Sequence, residues 1–281
     1  KVMKKIIAAF DGLKFSQSTL DYSINMAKQT NAYLAGVFLD DFTYTSYKIY
    51  DLVGKEGVTE QQLKDYTEKD KARRDKSTFN FEKSCKKAGL NFGIHHDRNI
   101  AIKELLHESI YADLMIIDRK ETLTHYPEKI PTRFIRDLLA DVQCPVLLVP
   151  QNYKPLDKIV ILFDGEPSSV HALKMFGYMF LMLKHLPAEV ISVKNMNSDL
   201  HVPDFKLMKE YIKLHYPKVV FTVLKGLAET EIVTHLKNEK HNCIIVTGAY
   251  RRGMVSRWFR ASMADALMKE IKLPLFIAHN K

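Results

Sequence analysis

Cysteine is scarce in this chain of 281 residues: Cys85, Cys144 and Cys243 are its three, and none forms a CxxC pair. So scattered and odd a set excludes a disulfide framework and a cysteine-rich zinc site. Cys144 and Cys243 stand in or beside apolar runs, where a small buried residue is expected. Long hydrophobic runs are also missing, and no window approaches the roughly 18 to 20 apolar residues that a membrane span needs. Lys4-Lys5 precedes the apolar run Ile6 to Phe10, but that run is too short for a secretory segment and no small-residue cleavage site follows. The expectation is a cytoplasmic protein with no membrane partner.

Several catalytic signatures are absent as well. There is no GxGxxG run and no GxSxG nucleophile elbow. Gly248 and Gly253 have the spacing of the two P-loop glycines, yet Met254-Val255 stands where Lys and Ser or Thr are required. His95-His96-Asp97 has metal-ligand residue types, but adjacent side chains on a strand point to opposite faces, so a surface role is expected. His107, His171 and His235 fall in helical stretches and read as surface or boundary residues. Trp258 and Phe259 read as packing between elements.

The residues present are those of an ordinary globular protein, 46% apolar and 27% charged. A net charge of +9 raises the question of nucleic acid. The lysines alternate with acids, as in Glu68-Lys69-Asp70-Lys71, which is the pattern of a solvated helix face. No nucleic-acid motif accompanies them, so no nucleic-acid partner is expected. The excess favours small anions or acidic partners.

The chain contains itself twice. Lys5-Ile6-Ile7-Ala8-Ala9-Phe10-Asp11-Gly12 is echoed by Lys158-Ile159-Val160-Ile161-Leu162-Phe163-Asp164-Gly165. Helical patterns follow at Ser16 to Lys28 and Ser168 to Leu183. Ala32 to Leu39 then matches Ala188 to Lys194, with Val37 opposite Val193. Ile100 to Ile117 matches Leu227 to Val246, each a helix followed by a hydrophobic strand. Cys144-Pro145-Val146-Leu147-Leu148-Val149 matches Leu273-Pro274-Leu275-Phe276-Ile277-Ala278. Near-continuous apolar strands alternating with helices indicate parallel sheets covered on both faces.

The expected fold class is therefore α/β, with two tandem doubly wound domains of about five parallel strands each. Their expected spans are residues 1–150 and 155–281, divided by the polar, proline-bearing Gln151-Asn152-Tyr153-Lys154-Pro155. The two are expected as separate five-stranded sheets related by a pseudo-twofold axis, packing as a pseudo-dimer, and not as one continuous sheet. Between Leu39 and Phe79 the first half carries roughly 25 extra residues. Thr59 to Lys87 reads there as a long surface helix. Phe42, Tyr44, Tyr47 and Tyr50 before it are expected to form a packing loop over the open end of the sheet.

These landmarks resemble the universal stress protein family over nearly the whole chain, in a tandem two-domain form. The family's domain opens with a strand ending in Asp-Gly, as at Asp11-Gly12 and Asp164-Gly165. It closes with a strand introduced by Pro, as at Pro145 and Pro274. Its nucleotide-binding members carry, after the fourth strand, Gly, two residues, Gly, nine residues, Gly, then Ser or Thr. In the second half Gly248 and Ser262 match, while Arg251 and Ala261 replace the other two glycines. In the first half Asp118, Glu121 and Pro131 replace all three, with Thr132 at the hydroxyl position.

Glycine lets a backbone approach phosphate closely and donate its N–H groups. Asp118 and Glu121 would repel phosphate, and Pro131 removes a donor. In the second half Arg251, Arg252, Arg257 and Arg260 surround the loop and could bind phosphate as guanidinium groups. The resemblance implies that Asp164 contacts a nucleoside and Val193 frames its base, with Asp11 and Val37 as first-half counterparts. Asp11 is expected instead to cap its helix. The candidate nucleotide-binding set is thus Asp164, Val193, Gly248, Arg251, Gly253, Ala261 and Ser262. No metal site and no catalytic residue is expected.

The resemblance implies a regulatory or ligand-binding stress-response protein that is not an efficient enzyme. Weak binding of ATP, another adenine nucleotide or another anion is expected in its second domain, and a structural role for its first. The alternative is an ATP-binding stress protein whose slow hydrolysis acts as a switch. A ligase of a related adenylate-forming family would need a pyrophosphate loop and an acid or metal site, and neither is visible.

Overall fold

The computed structural model describes residues 3–39, 45, 59–97, 100–124, 126–196, 201–248 and 261–278. The aromatic segment Phe42 to Tyr50, the loop residues Arg251, Arg252, Gly253, Arg257 and Arg260, and Trp258-Phe259 lie outside them. So do the side chains of Ala261 and Ser262.

In the first half, β1 (Lys5–Asp11), β2 (Tyr33–Leu39), β3 (Phe92–Asp97), β4 (Leu114–Asp118) and β5 (Val146–Val149) alternate with helices. These are α1 (Gln17–Thr30), α2 (Glu60–Ala88), α3 (Ala101–Ser109) and α4 (Arg133–Asp141). The second half repeats the order with β6 (Lys158–Leu162), β7 (Ala188–Lys194), β8 (Val219–Lys225), β9 (Cys243–Thr247) and β10 (Leu275–Ile277). Its helices are α5 (Pro167–Met179), α6 (Phe205–His215), α7 (Ala228–Lys237) and α8 (Ala261–Glu270). All pairings within each half are parallel, because every crossover carries a helix that must cover a sheet face.

The two sheets are not separate. The strand order is β3-β2-β1-β4-β5-β10-β9-β6-β7-β8, one ten-stranded sheet in which β5 pairs β10 antiparallel. This overturns the expectation of two independent sheets. The reason is that β5 and β10 would each be a bare apolar edge, and edges left unpaired invite association. The register is self-complementary: Leu148 faces Leu275, Leu147 faces Phe276 and Val146 faces Ile277, so the pairing is symmetric about Leu147–Phe276. One apolar cluster per sheet face runs through both halves, with Leu147 and Phe276 on one side and Leu148 and Ile277 on the other. Phe276 is fully buried and packs edge-on against Phe176 and Phe180, with centroids at 5.2 and 5.6 Å.

The long helix expected from Thr59 onward is α2. Thr59 caps it, its hydroxyl accepting from the Gln62 N–H while the Gln62 side chain accepts from the Thr59 N–H. Few of its residues are buried, and Phe81 is the anchor, its ring meeting those of Phe10, Phe38 and Phe92. The linker is pinned by Tyr153, whose ring lies 4.7 Å from that of Tyr22, and by Asn242, whose amide donates to the Lys154 and Pro155 carbonyls at 2.8 Å. All three cysteines are free and buried. Burial pushes the Cys85 and Cys243 thiols up to about 12, which makes them inert packing groups.

Candidate functional site

Parallel α/β sheets collect their loops at the carboxyl ends of the strands, where helix N-termini also point. The candidate residues of each half lie there, at the ends of its first and fourth strands.

In the first half that position is filled from within. Asp11 ends β1 and is fully buried. Its Oδ1 accepts from the Leu13 and Lys14 N–H groups at 2.8 and 3.3 Å, and its Oδ2 lies 3.2 Å from Lys14 Nζ. Asp11 is therefore not the cap of α1, as expected from the sequence. Ser16 is, its hydroxyl accepting from the Thr19 N–H and donating to Asp118.

Glu121 stands where the nucleotide loop would have its second glycine. Its Oε1 accepts from the Thr122 and Leu123 N–H groups, both at 2.9 Å, and lies 3.8 Å from Lys14 Nζ. Lys14 Nζ donates further to the Thr122 hydroxyl and the Thr124 carbonyl, at 3.0 and 2.8 Å. Burial, with the negative Asp11 beside it, raises the Glu121 carboxyl to about 7. The Thr132 hydroxyl donates to the Glu121 carbonyl and accepts from the Ile135 N–H, capping α4. Glu128 accepts from the Arg133 N–H at 2.7 Å, so a carboxylate already sits at that helix N-terminus. The adjoining cavity of about 420 Å³ is walled in part by Asp118 and Glu121. The lining sets the carboxyl groups of Asp118 and Glu121 beside Lys14 and Lys120, and Glu121 already takes the Thr122 and Leu123 N–H groups.

In the second half Asp164 follows β6 and is 7% exposed, its Oδ1 accepting from the Glu166 N–H at 3.0 Å. It thus closes the strand-end turn and does not cap α5. Gly165 takes φ +85°, where a side chain is strained, and a Cβ there would lie 2.6 Å from Pro203 Cβ. Gly248 follows β9, and a Cβ on it would meet the Ser168 backbone at 2.7 Å. Glycine is thus required there by packing against the start of α5, whatever the loop binds. The Thr247 hydroxyl beside it is buried without a hydrogen-bond partner among the described residues.

The strand register refines one pairing. Ile6 faces Leu34 and Ile159 faces Ala188, so Val193 corresponds to Leu39, and Val37 corresponds to Ile191. Val193 is buried in β7, level with Asp164 by continuation of the Leu162–Ile191 pairing. The register also aligns Asp118 with Gly248, through Leu114 facing Ile6 and Ile244 facing Ile159. Asp164, Val193 and Gly248 thus gather at one end of β6, β7 and β9. Arg251 and Gly253 lie outside the described residues, as do the side chains of Ala261 and Ser262.

The histidines take ordinary partners. His95 Nδ1 lies 2.5 Å from Glu108, and His96 stacks on Phe38 with centroids 5.7 Å apart, on the other sheet face. No group of metal-ligating side chains occurs among the described residues. Sequence reasoning treated His235 as a boundary residue and missed a polar cluster around it. Glu189, 4% exposed, holds Lys158 at 2.6 Å, His235 at 3.1 Å and the Thr222 hydroxyl at 2.6 Å. The signal was an acid alternating with apolar residues in β7 beside a lysine opening β6. No described helix is long and apolar enough to cross a membrane.

No protein-family model and no curated protein sequence matches the chain. Solved structures do. A universal stress protein from Archaeoglobus fulgidus has a TM-score of 0.65 at 13% identity, covering 98% of this chain and 96% of that one. A putative universal stress protein from Pseudomonas aeruginosa UCBPP-PA14 has a TM-score of 0.60 at 12% identity, covering 99% and 93%. A protein of unknown function from Pseudomonas aeruginosa PAO1 has a TM-score of 0.59 at 12% identity, covering 99% and 92%. The chain has the fold of these proteins from end to end.

Proposed function

We propose that this chain is a universal-stress-type regulatory or ligand-binding protein rather than an efficient enzyme. Its second domain takes an adenine nucleotide or related anion, and its first serves as structure. Fold alone does not carry function. The observation that carries the reading is the contrast between the two strand-end sites. The first is closed by Glu121, Lys14 and Glu128 of the same chain. The second brings Asp164, Val193 and Gly248 together at the ends of β6, β7 and β9, while Arg251, the counterpart of Glu121, lies outside the described residues.

In this reading Asp164 accepts from a ribose hydroxyl, Val193 packs on the base, and the segment from Gly248 to Ser262 is the one that takes the phosphates. The two domains behave as a pseudo-dimer joined through β5 and β10. Titrating ATP into the full chain tests this. Asp164→Ala should abolish the binding that depends on the adenosine moiety, and Asp11→Asn should leave it unchanged. Arg251→Gly with Ala261→Gly should tighten it about tenfold or more, since a charge-assisted backbone contact outweighs the loss of one solvent-screened charge. Binding that survives Asp164→Ala and disappears with Asp11→Asn would place the ligand in the first half and overturn the assignment.

A further inference from the structure

The seam between the halves carries a second cleft of about 910 Å³, which adjoins the first-half cavity through Lys120, Gln151 and Asn152 and lies within the usual range for small-molecule pockets. The strands of the halves run oppositely across β5 and β10. This cleft therefore lies between the carboxyl ends of β4 and β5 and the amino ends of β6 and β9. Its lining includes Arg119, Lys120 and Lys154 from the first half and linker, and Lys237, Lys240 and Lys272 from the second.

Three carboxylates also line it: Glu270 pairs with Lys237 at 2.6 Å and Glu239 with Lys158 at 2.5 Å, while Asp157 lies 3.8 Å from the His241 ring. No carboxylate among the described residues lies within 4 Å of Arg119, Lys120, Lys154, Lys240 or Lys272. Positive charge is thus left over on both sides of one concavity, which focuses the field on an anion.

Arg119 is the buried member of the group. It is 5% exposed, yet it follows directly on β4 at the base of the cleft. Its Nη1 donates to the Ile271 carbonyl just past the end of α8, and its Nε is buried without a partner among the described residues. Burial lowers the proton affinity of this guanidinium, and the nearby charge of Asp118 offsets that only in part. An anion in the cleft would supply the missing charge. A phosphate group suits a guanidinium, and several phosphates suit cations spread over separate elements.

The geometry points to the seam cleft as a binding site for a small molecule carrying two or more phosphates, with Arg119 at its base and the lysines at its rim. This goes beyond the nucleotide reading and does not depend on it. In the repeat, Asp118 corresponds to Gly248, so the position of Arg119 is held by Ala249 in the second half. The site belongs to the joined chain and not to each half.

Calorimetric titration of sodium tripolyphosphate into the full chain tests the proposal. One ion should bind per chain, more weakly as salt is raised. Lys154→Ala with Lys240→Ala should weaken it about tenfold or more, and Arg119→Met at least as much. The rim variant removes exposed groups only, so it remains informative if Arg119→Met fails to fold. Asp164→Ala should leave tripolyphosphate binding intact, and any ATP binding it leaves should be displaced by tripolyphosphate. The proposal is overturned if the wild type takes up no tripolyphosphate, if the rim variant binds it equally well, or if Asp164→Ala alone removes it.

Discussion

Glu121→Gln separates the charge of the first-half site from its shape. The wild-type carboxyl is 7% exposed, and burial with the neighbouring Asp11 raises it from 4.5 to about 7. Because the folded protein holds this proton more tightly than the unfolded chain, ionisation opposes folding. Below about pH 4.5 the group is protonated in both states and the cost vanishes. As pH rises toward 7 the unfolded chain releases the proton first, and the cost grows until the folded form releases it too. At 1.36 kcal/mol per decade the full cost is about 3 kcal/mol. A glutamine keeps an oxygen for the Thr122 and Leu123 N–H groups, and Lys14 keeps Asp11 at 3.2 Å. Denaturant unfolding of both proteins from pH 4 to pH 8 should therefore show the variant gaining on the wild type by about 3 kcal/mol across the range. Parallel pH profiles would refute the assignment of Glu121 as a buried, proton-holding plug.

Two further outcomes follow from packing. Gly248→Ala should destabilise by about 1 to 3 kcal/mol, because its Cβ would meet the Ser168 backbone, and Tm should fall by several degrees with or without ATP; an unchanged Tm contradicts this. Phe276→Ala should cost about 3 to 5 kcal/mol and lower a single calorimetric transition, since the apolar clusters run through both halves. A shift confined to one of two transitions would show the halves to be thermally independent.

Much of the architecture was legible because repetition and apolar runs are local signals. The Asp-Gly strand ends, the alternating strands and helices and the capped charged helix α2 all stand in the sequence. The joining of the sheets does not. Val146 to Val149 reads as a buried strand whether its outer edge meets solvent, a helix or β10. The two-residue offset at Val193 has a similar origin, since β7 is buried on both faces and its few polar residues do not set its register. Glu121 was legible as a residue hostile to phosphate, but its second effect depended on where the loop folds. A carboxylate that repels phosphate can also take over the N–H groups phosphate would use. Arg119 gave no signal, because a lone arginine after a strand has no motif, and its burial comes from α8 of the other half.

The antiparallel meeting of β5 and β10 has a consequence for how such a chain can diverge. Two identical subunits joined by a self-complementary edge must change together, because a substitution in one is a substitution in both. Joined by the pinned linker at Tyr153, the pair meets with fixed composition. One copy is then free to give up a ligand and become a scaffold whose edge strand the other requires. Asp118 and Gly248, at the same place in the two halves, show how unlike two such copies can become within a single polypeptide.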